Sequence, residues 1–535
     1  MVLWSYTTAI FFCENLRVQK KPHSASCISN AMLKRITISV ALVATAFLLV
    51  LSRFPDTIPV TWDMAAIKHF HLPPPDTTAV VKYAPREYYE SLPEHVIYKT
   101  YPVYVQEFEK PGYVDSLRAL EPEIVFDPAK LKTVEDWIKA GELIFQWPVA
   151  YTPFNGHTTT LKAVNFASSK TSLTLDGRYE FNRYVITEKG KLLVGSLSCA
   201  SCHTRILKSG EVVAGGQGNV VSSAGFIEAI RSERIPFAAM QQGTRQLSWA
   251  PWAPATFKAM ADTKEELVRY FQAIPAGVVD RQGSGYLYPL TIPSLIGVKD
   301  IKYLDHTGLM RHDNPGDMMR YAAFNQGMDM LTAYNGYIPA AKGDHTTLPA
   351  PTEWNHPFGY VGKKYSDAQL YALTQYIYSL RPPKNPNVYP AALTGRGKIV
   401  FAEAGCVTCH TPPLYTNNKL TPANGFTPPP GHFRKYDIFN VSVETDSVSA
   451  LYARRATGYY KIPSLRGVWF RGAFFHNGHL TSLEEVLDPK RLQADYVPSG
   501  YLPPNVKTMA VKGHPFGLDL SDADKKALIA FLKTL

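Results

Sequence analysis

Cysteine is scarce in this chain. There are six among 535 residues; four form two close pairs, Cys199 with Cys202 and Cys406 with Cys409, while Cys13 and Cys27 precede an apolar segment. No cysteine is left for a disulfide framework, which excludes a small stapled fold. Charged residues are also few, at 19%, and the basic ones are scattered, with no Lys/Arg stripe interleaved with base-stacking aromatics. Nucleic-acid binding therefore has no footprint, and the net charge of +11 favours anionic surfaces or acidic partners in general. Long hydrophobic runs are missing apart from one, which excludes a polytopic membrane protein, and a hydrophobic content of 45% excludes wholesale disorder. The length implies about two to four domains. What is abundant is proline, 41, and tyrosine, 31, pointing to ordered non-helical stretches wrapped on a core.

The single apolar run, Ile36 to Leu51 (ITISVALVATAFLLVL), follows Lys34 and Arg35 and precedes Ser52 and Arg53. It reads as an export signal or a short membrane anchor, and no A-x-A cleavage signature follows it. An uncleaved anchor with basic residues inside is favoured over a cleaved signal peptide. Met32 offers a more ordinary start than Met1. Residues 1–53 are thus an N-terminal segment with a signal or anchor helix, and residues 54–126, rich in Pro and Tyr with little helical periodicity, an extended arm packed on the core.

The remainder is a duplication, because four features recur in one order. Gly141-Glu-Leu-Ile-Phe145 matches Gly397-Lys-Ile-Val-Phe401. Cys199-x-x-Cys202-His203 matches Cys406-x-x-Cys409-His410. Ile292-Pro-Ser-Leu with His306-x-Gly308 matches Ile462-Pro-Ser-Leu with His476-x-Gly478, at a constant offset of 170 residues. His356-Pro-Phe-Gly359 before Ser366-Asp-Ala matches His514-Pro-Phe-Gly517 before Ser521-Asp-Ala. Ser366 and Ser521 are N-caps, Gln369 completes a capping box, and the apolar residues that follow keep i, i+3, i+4 spacing, so each repeat closes with an amphipathic helix. Four prolines in the ten residues 381–390 mark the boundary between copies at 127–381 and 391–535. Cys199 follows Phe145 by about fifty positions, whereas Cys406 follows Phe401 by five; the excess, about 148–197, is rich in Thr, Val, Phe and Tyr and predicts a β insertion.

Cys-x-x-Cys-His is the attachment motif of c-type haem. Two thiols on one helical turn can form thioethers to the two vinyl groups, which holds the adjacent histidine under the ring to ligate iron. The competing readings are a thioredoxin-like pair, which needs a βαβ context, and a zinc site, which needs two pairs from separate repeats to converge. Two covalently bound haems c follow, one on Cys199, Cys202 and His203, the other on Cys406, Cys409 and His410. Such haem is attached outside the cytoplasm, in keeping with export.

With these motifs and KIPSLRGVWFRGAFFHNGHLTSLEEVL (Lys461 to Leu487), residues 127–535 resemble the di-haem cytochromes of the bacterial cytochrome c peroxidase superfamily. The long insertion and the closing HPFG-x-x-LSDADKKALIAFLKTL are more similar to its rubber-oxygenase branch. The resemblance implies a methionine ligand for the electron-transfer haem about fourteen residues beyond the F-H-N-G histidine, but that position is Lys490. His514, Met509 and His476 are the alternatives for the second site, and His306 and His356 their counterparts for the first. The distal histidine that the resemblance implies soon after the first motif is missing, since no histidine lies between His203 and His306. Haem one is therefore the better candidate for an open face that takes peroxide or O2. Trp249 and Trp252 lie where the family has its bridging tryptophan, and Glu265 is a candidate acid/base for peroxide.

The sequence thus predicts a mainly α chain with two cytochrome-c-like haem domains, a β insertion in the first and a Pro-rich arm, anchored on the periplasmic side of the bacterial inner membrane or released there. Its expected role is peroxidase-like, with haem two relaying electrons to or from a partner protein or a quinol pathway. A pure electron-transfer cytochrome and a rubber-oxygenase-like dioxygenase are the rival readings.

Overall fold

The computed structural model describes residues 57–156, 173–220, 224–280, 283–341, 343–351 and 362–535, which all fall within one unit, Thr57–Leu535. The apolar run at 36–51, part of the insertion at 157–172, and His356 lie outside the described residues. Among the described residues no helix is long and apolar enough to cross a membrane.

The arm is more structured than its composition suggests. Asp63 accepts from the Ala65 and Ala66 amides to start α1 (Met64–Phe70), and β1 (Thr100–Tyr104) follows. Then come α2 (Val134–Gln146), opened by a Thr133/Asp136 capping box, and β2 (Ala150–Pro153), β3 (Arg178–Glu188) and β4 (Lys191–Ser196). These strands form one antiparallel sheet in the order β1-β3-β4-β2, so the arm supplies an edge strand to the insertion. The sheet packs Val103, Phe154, Tyr184, Ile186 and Leu192 into its own core. Pairing with β3 satisfies main-chain groups that an isolated extended arm would leave to solvent.

The rest of the first repeat contains α3 (Phe237–Ser248), α4 (Lys264–Ala273), the two-residue strands β5 (Val278–Val279) and β6 (Leu290–Thr291), α5 (Pro315–Asn325) and α6 (Asp367–Ser379). The second repeat holds α7 (Ala391–Glu403), β7 (Leu420–Pro422) paired with β8 (Tyr459–Lys461), and α8 (Asp522–Leu532). The architecture is accordingly mixed, with short strands interleaved among short helices. Ser366 and Gln369 form the expected capping box, and Ser521 accepts from the Asp524 amide.

The duplication is visible atom by atom. In the first repeat α2 crosses α6 at Gly141, where a Cβ would stand 2.0 Å from the Ala372 carbonyl oxygen; in the second α7 crosses α8 at Gly397, 2.0 Å from that of Ala527. Only a residue without a side chain lets the two backbones approach this closely. One turn on, Phe145 packs on Tyr376 at 5.2 Å, and its counterpart Phe401 on Phe531 at 5.5 Å.

The repeats also embrace each other reciprocally. The Thr291 amide donates to the His476 carbonyl at 2.8 Å, and the Lys461 amide, 170 positions later, donates to the His306 carbonyl at 2.9 Å. Arg454 and Arg455, both buried, extend from the second repeat to Asp329 of the first, at 3.6 and 3.4 Å. The segment 451–454 docks on 248–252 through main-chain bonds between Ala250 and Tyr452 and between Arg454 and Ser248.

Candidate functional site

Each Cys-x-x-Cys-His motif sits on a single tight turn closed by a histidine amide bonding back to the first cysteine carbonyl, His203 to Cys199 and His410 to Cys406, both at 2.9 Å. The first turn is fixed by a Ser198/Ser201 capping box, and Ser201 Oγ donates to the Phe181 carbonyl of β3 at 2.9 Å. Thus the insertion sheet braces the first motif.

Both histidines are oriented by main-chain carbonyls. His203 Nδ1 lies 3.0 Å from the Pro293 carbonyl oxygen, and His410 Nδ1 lies 3.1 Å from that of Tyr415, with the Pro463 carbonyl also acting on it. Pro293 and Pro463 are the prolines of the repeated Ile-Pro-Ser-Leu. A carbonyl only accepts, so Nδ1 carries the hydrogen and Nε2 presents a bare lone pair, the tautomer a metal ligand needs. Burial holds His410 below its ordinary pKa and so keeps it neutral.

Of the three candidates for the opposite side of the second site, His514 is the one whose ring meets His410, with centroids 6.4 Å apart. A metal–imidazole bond of about 2 Å, with each ring centre about 1 Å behind its nitrogen, puts two axial imidazoles of one metal roughly 6 Å apart. The residues therefore fit a metal held between them. Burial pushes His514 down to about 4, so it too is neutral. Its backbone has φ 50°, a left-handed conformation uncommon outside glycine, after Gly513, whose Cβ would lie 2.6 Å from Thr445 Cα. Arg491 holds this turn: its fully buried guanidinium donates to the carbonyls of Val486, Val511 and His514 at 3.0, 2.6 and 2.8 Å. Lys490, the position at which the resemblance implied a methionine, is exposed.

A second fit comes from cations. Burial pushes Arg205 and Arg471 down to about 10 and Lys461 to about 8. Among the described residues none of the three has a carboxylate within ion-pair distance, and Arg471 Nε is buried without a hydrogen-bond partner. Arg205, from the first repeat, stands against Gly472 of the second. Desolvated cations with no ion-paired carboxylate, Lys461 alone feeling the charge of Asp305, are what an anionic group such as the propionates of haem requires.

His306 and His476 lie at the interface between repeats. His306 Nε2 bonds the Thr291 carbonyl at 2.7 Å; His476 Nε2 faces Asp446 at 3.7 Å and Tyr460 Oη at 3.3 Å. Met509 is tied through its amide to the Tyr496 carbonyl at 2.8 Å. Trp249 and Trp252 also stand on that interface: Trp249 pairs with Ala453 and donates its indole N–H to Ala259 at 3.0 Å, and Trp252 donates to the Leu451 carbonyl at 2.9 Å. Glu265 is exposed on the first turn of α4, whereas its neighbour Glu266 is buried and accepts from the Asp262 amide, Lys258 and Asn505. The carboxylate at this end of the helix thus serves local structure.

Sequence reasoning passed over Pro293, Pro463, Arg491 and the three half-buried cations. The prolines carried a signal, the invariance of Ile-Pro-Ser-Leu between copies. The cations carried none, because scattered Lys and Arg look alike until burial separates them.

No family model matches the chain. A stretch of 142 residues is 30% identical to the methylamine utilization protein MauG of Methylorubrum extorquens, covering 26% of this chain and 33% of that relative. The chain thus spans about a third of the length of the curated relative it matches. Among solved structures, a chain of Kuenenia stuttgartiensis hydrazine synthase pressurized with xenon shares 16% identity at a TM-score of 0.28, covering 56% of this chain and 88% of that one, a likeness too slight to carry an argument.

Proposed function

We propose that this chain is an exported di-haem c-type cytochrome with peroxidase-like activity, in which haem one meets peroxide or O2 and haem two relays electrons. Cys199, Cys202 and His203 hold the first group, and Cys406, Cys409, His410 and His514 the second. Bound haem supplies one-electron redox chemistry and, where an axial position is open, a place for a small oxidant. The observation that carries the reading is the second site, where a buried histidine stands opposite the motif histidine. Both proximal histidines are pinned at Nδ1 by a backbone carbonyl, and His514 stands 6.4 Å from His410 in the second copy. In the first copy no histidine follows His203 for a hundred residues, and His306 Nε2 is engaged by the Thr291 carbonyl; His356, the counterpart of His514, lies outside the described residues, so the open face at haem one rests on the sequence spacing.

The chain's own residues serve three tasks in this scheme. Main-chain carbonyls fix the tautomer and ring plane of His203 and His410. Arg205, Lys461 and Arg471 would balance the negative charge of the bound groups. Trp249 and Trp252 fill the interface between the repeats with aromatic rings that favour electron passage. The net charge of +11 suits an acidic partner protein for the relayed electrons, and the apolar run at 36–51 supports a periplasmic address with membrane attachment.

Optical and EPR spectra of the oxidised protein, with carbon monoxide and cyanide titrations, test the proposal. One low-spin haem and one that binds these ligands, together with turnover of peroxide, are expected. Two low-spin haems that bind neither ligand in any redox state, without turnover, would favour a pure electron carrier.

A further inference from the structure

The arm brings a tyrosine and a histidine into an enclosed contact that neither haem site uses. Tyr83 Oη lies 2.5 Å from His71 Nδ1, with the rings edge-on at 5.6 Å. His71 is buried at 9% exposure, and its other nitrogen, Nε2, is sealed without a hydrogen-bond partner. Asp329, buried at 1%, has an oxygen, Oδ1, in the same condition, while its Oδ2 lies 3.4 Å from Arg455. Asp329 is also the charge that most favours a protonated His71. With burial pushing His71 down to about 4, the resting imidazole is neutral, the phenol donates to Nδ1, and the ring hydrogen resides on Nε2.

The pair is wired to the first haem motif. Phe324, near the end of α5, stacks on His71 at 6.3 Å and meets Tyr83 edge-on at 6.1 Å. Two residues later Gln326 Nε2 donates to Cys199 Sγ at 3.5 Å, and Cys199 is a thioether residue of haem one. A phenol bonded to a neutral imidazole can lose its electron and proton together, because the proton has an acceptor waiting; a phenol without one would have to form a high-energy cation. A purely architectural contact would be served equally well by apolar residues of the same shape, without two buried polar atoms left unpaired.

We propose that Tyr83 and His71 form a proton-coupled redox pair: Tyr83 yields one electron to haem one once peroxide has oxidised that group, and its phenolic proton crosses the hydrogen bond to His71 Nδ1. The products are a neutral tyrosyl radical, an imidazolium whose charge Asp329 favours, and a haem one electron richer. The pair would thus hold an oxidising equivalent on the arm, outside the haem pocket. This inference rests on the haem reading above.

The test uses the full-length purified protein, its haem content counted first. After addition of hydrogen peroxide and rapid freezing, EPR should show a tyrosyl doublet near the free-electron position. Tyr83→Phe should lose it. His71→Gln, whose amide accepts the hydrogen bond but cannot take the proton, should also lose it, with the haem spectra unchanged in both variants. A parallel flash experiment with a photogenerated one-electron oxidant should give the same radical and does not depend on haem, so a failed haem count overturns the haem reading while the flash still decides the pair. A radical that persists in Tyr83→Phe, no radical from either oxidant, or a change of haem spin state in His71→Gln, which would make His71 an iron ligand, would overturn the proposal.

Discussion

Replacing Arg491 with alanine tests whether the His514 turn is held in place by design of the fold. The guanidinium is wholly buried and gives three hydrogen bonds, to the Val486, Val511 and His514 carbonyls, while lying over the Phe475 ring at 5.2 Å. Truncation leaves three interior carbonyls unpaired at about 1 kcal/mol each, near 3 kcal/mol in all. The share falling on His514 itself is about 1 to 1.5 kcal/mol, enough to weaken retention of its left-handed turn by about tenfold. Arg491→Lys should recover only part of this, since an ammonium lacks the fork that reaches three acceptors. Urea unfolding gives the first quantity, and the low-spin fraction of the second haem by EPR gives the second. If Arg491→Ala keeps both the stability and the low-spin spectrum of the parent, the clamp has no role and the reasoning fails.

His514→Ala should convert haem two to a high-spin form; an unchanged spectrum there, with a change in His476→Ala or Met509→Ala, would move the role to that residue. Gly397→Ala should destabilise the second repeat by about 3 kcal/mol or more, because the new Cβ meets a carbonyl oxygen at 2.0 Å that belongs to backbone and cannot step aside; denaturant unfolding reads this directly. Acid should weaken the fold before carboxylates titrate. His71 and His95 are both pushed by burial from 6.5 to about 4, so between those values the unfolded chain binds more protons than the folded one. Stability is then complete above pH 6.5 and falls as pH drops towards 4, by up to about 3 kcal/mol per histidine. His95→Gln should flatten that slope, as measured by urea midpoints across the range.

The parts readable from the sequence are those in which a side chain announces its own job. Gly141 and Gly397, each four residues before a phenylalanine, signalled matching segments of the two copies, and Ser366 with Gln369 signalled a capped start. The two Cys-x-x-Cys-His motifs signalled their turns. The reciprocal bonds from Thr291 and Lys461 to His476 and His306 were hidden because they run between main-chain atoms, which have no residue signature. How the extended arm packs on the core was not legible: β1 carries a weak alternation that gains meaning only when β3 lies beside it, and Trp62, Phe70, His71 and Tyr83 are scattered in sequence but converge on Phe324. Arg491 carries no sequence signal, since only burial separates it from its exposed neighbour Lys490.

The central claim, two covalently attached haems in one duplicated chain, is tested most directly by counting them. Acid-acetone extraction should leave the colour with the protein, and a pyridine haemochrome assay should give two haems c per chain, falling to one when Cys406 and Cys409 are both replaced by alanine. Colour removed by the solvent, or a count other than two in the parent protein, would contradict the account.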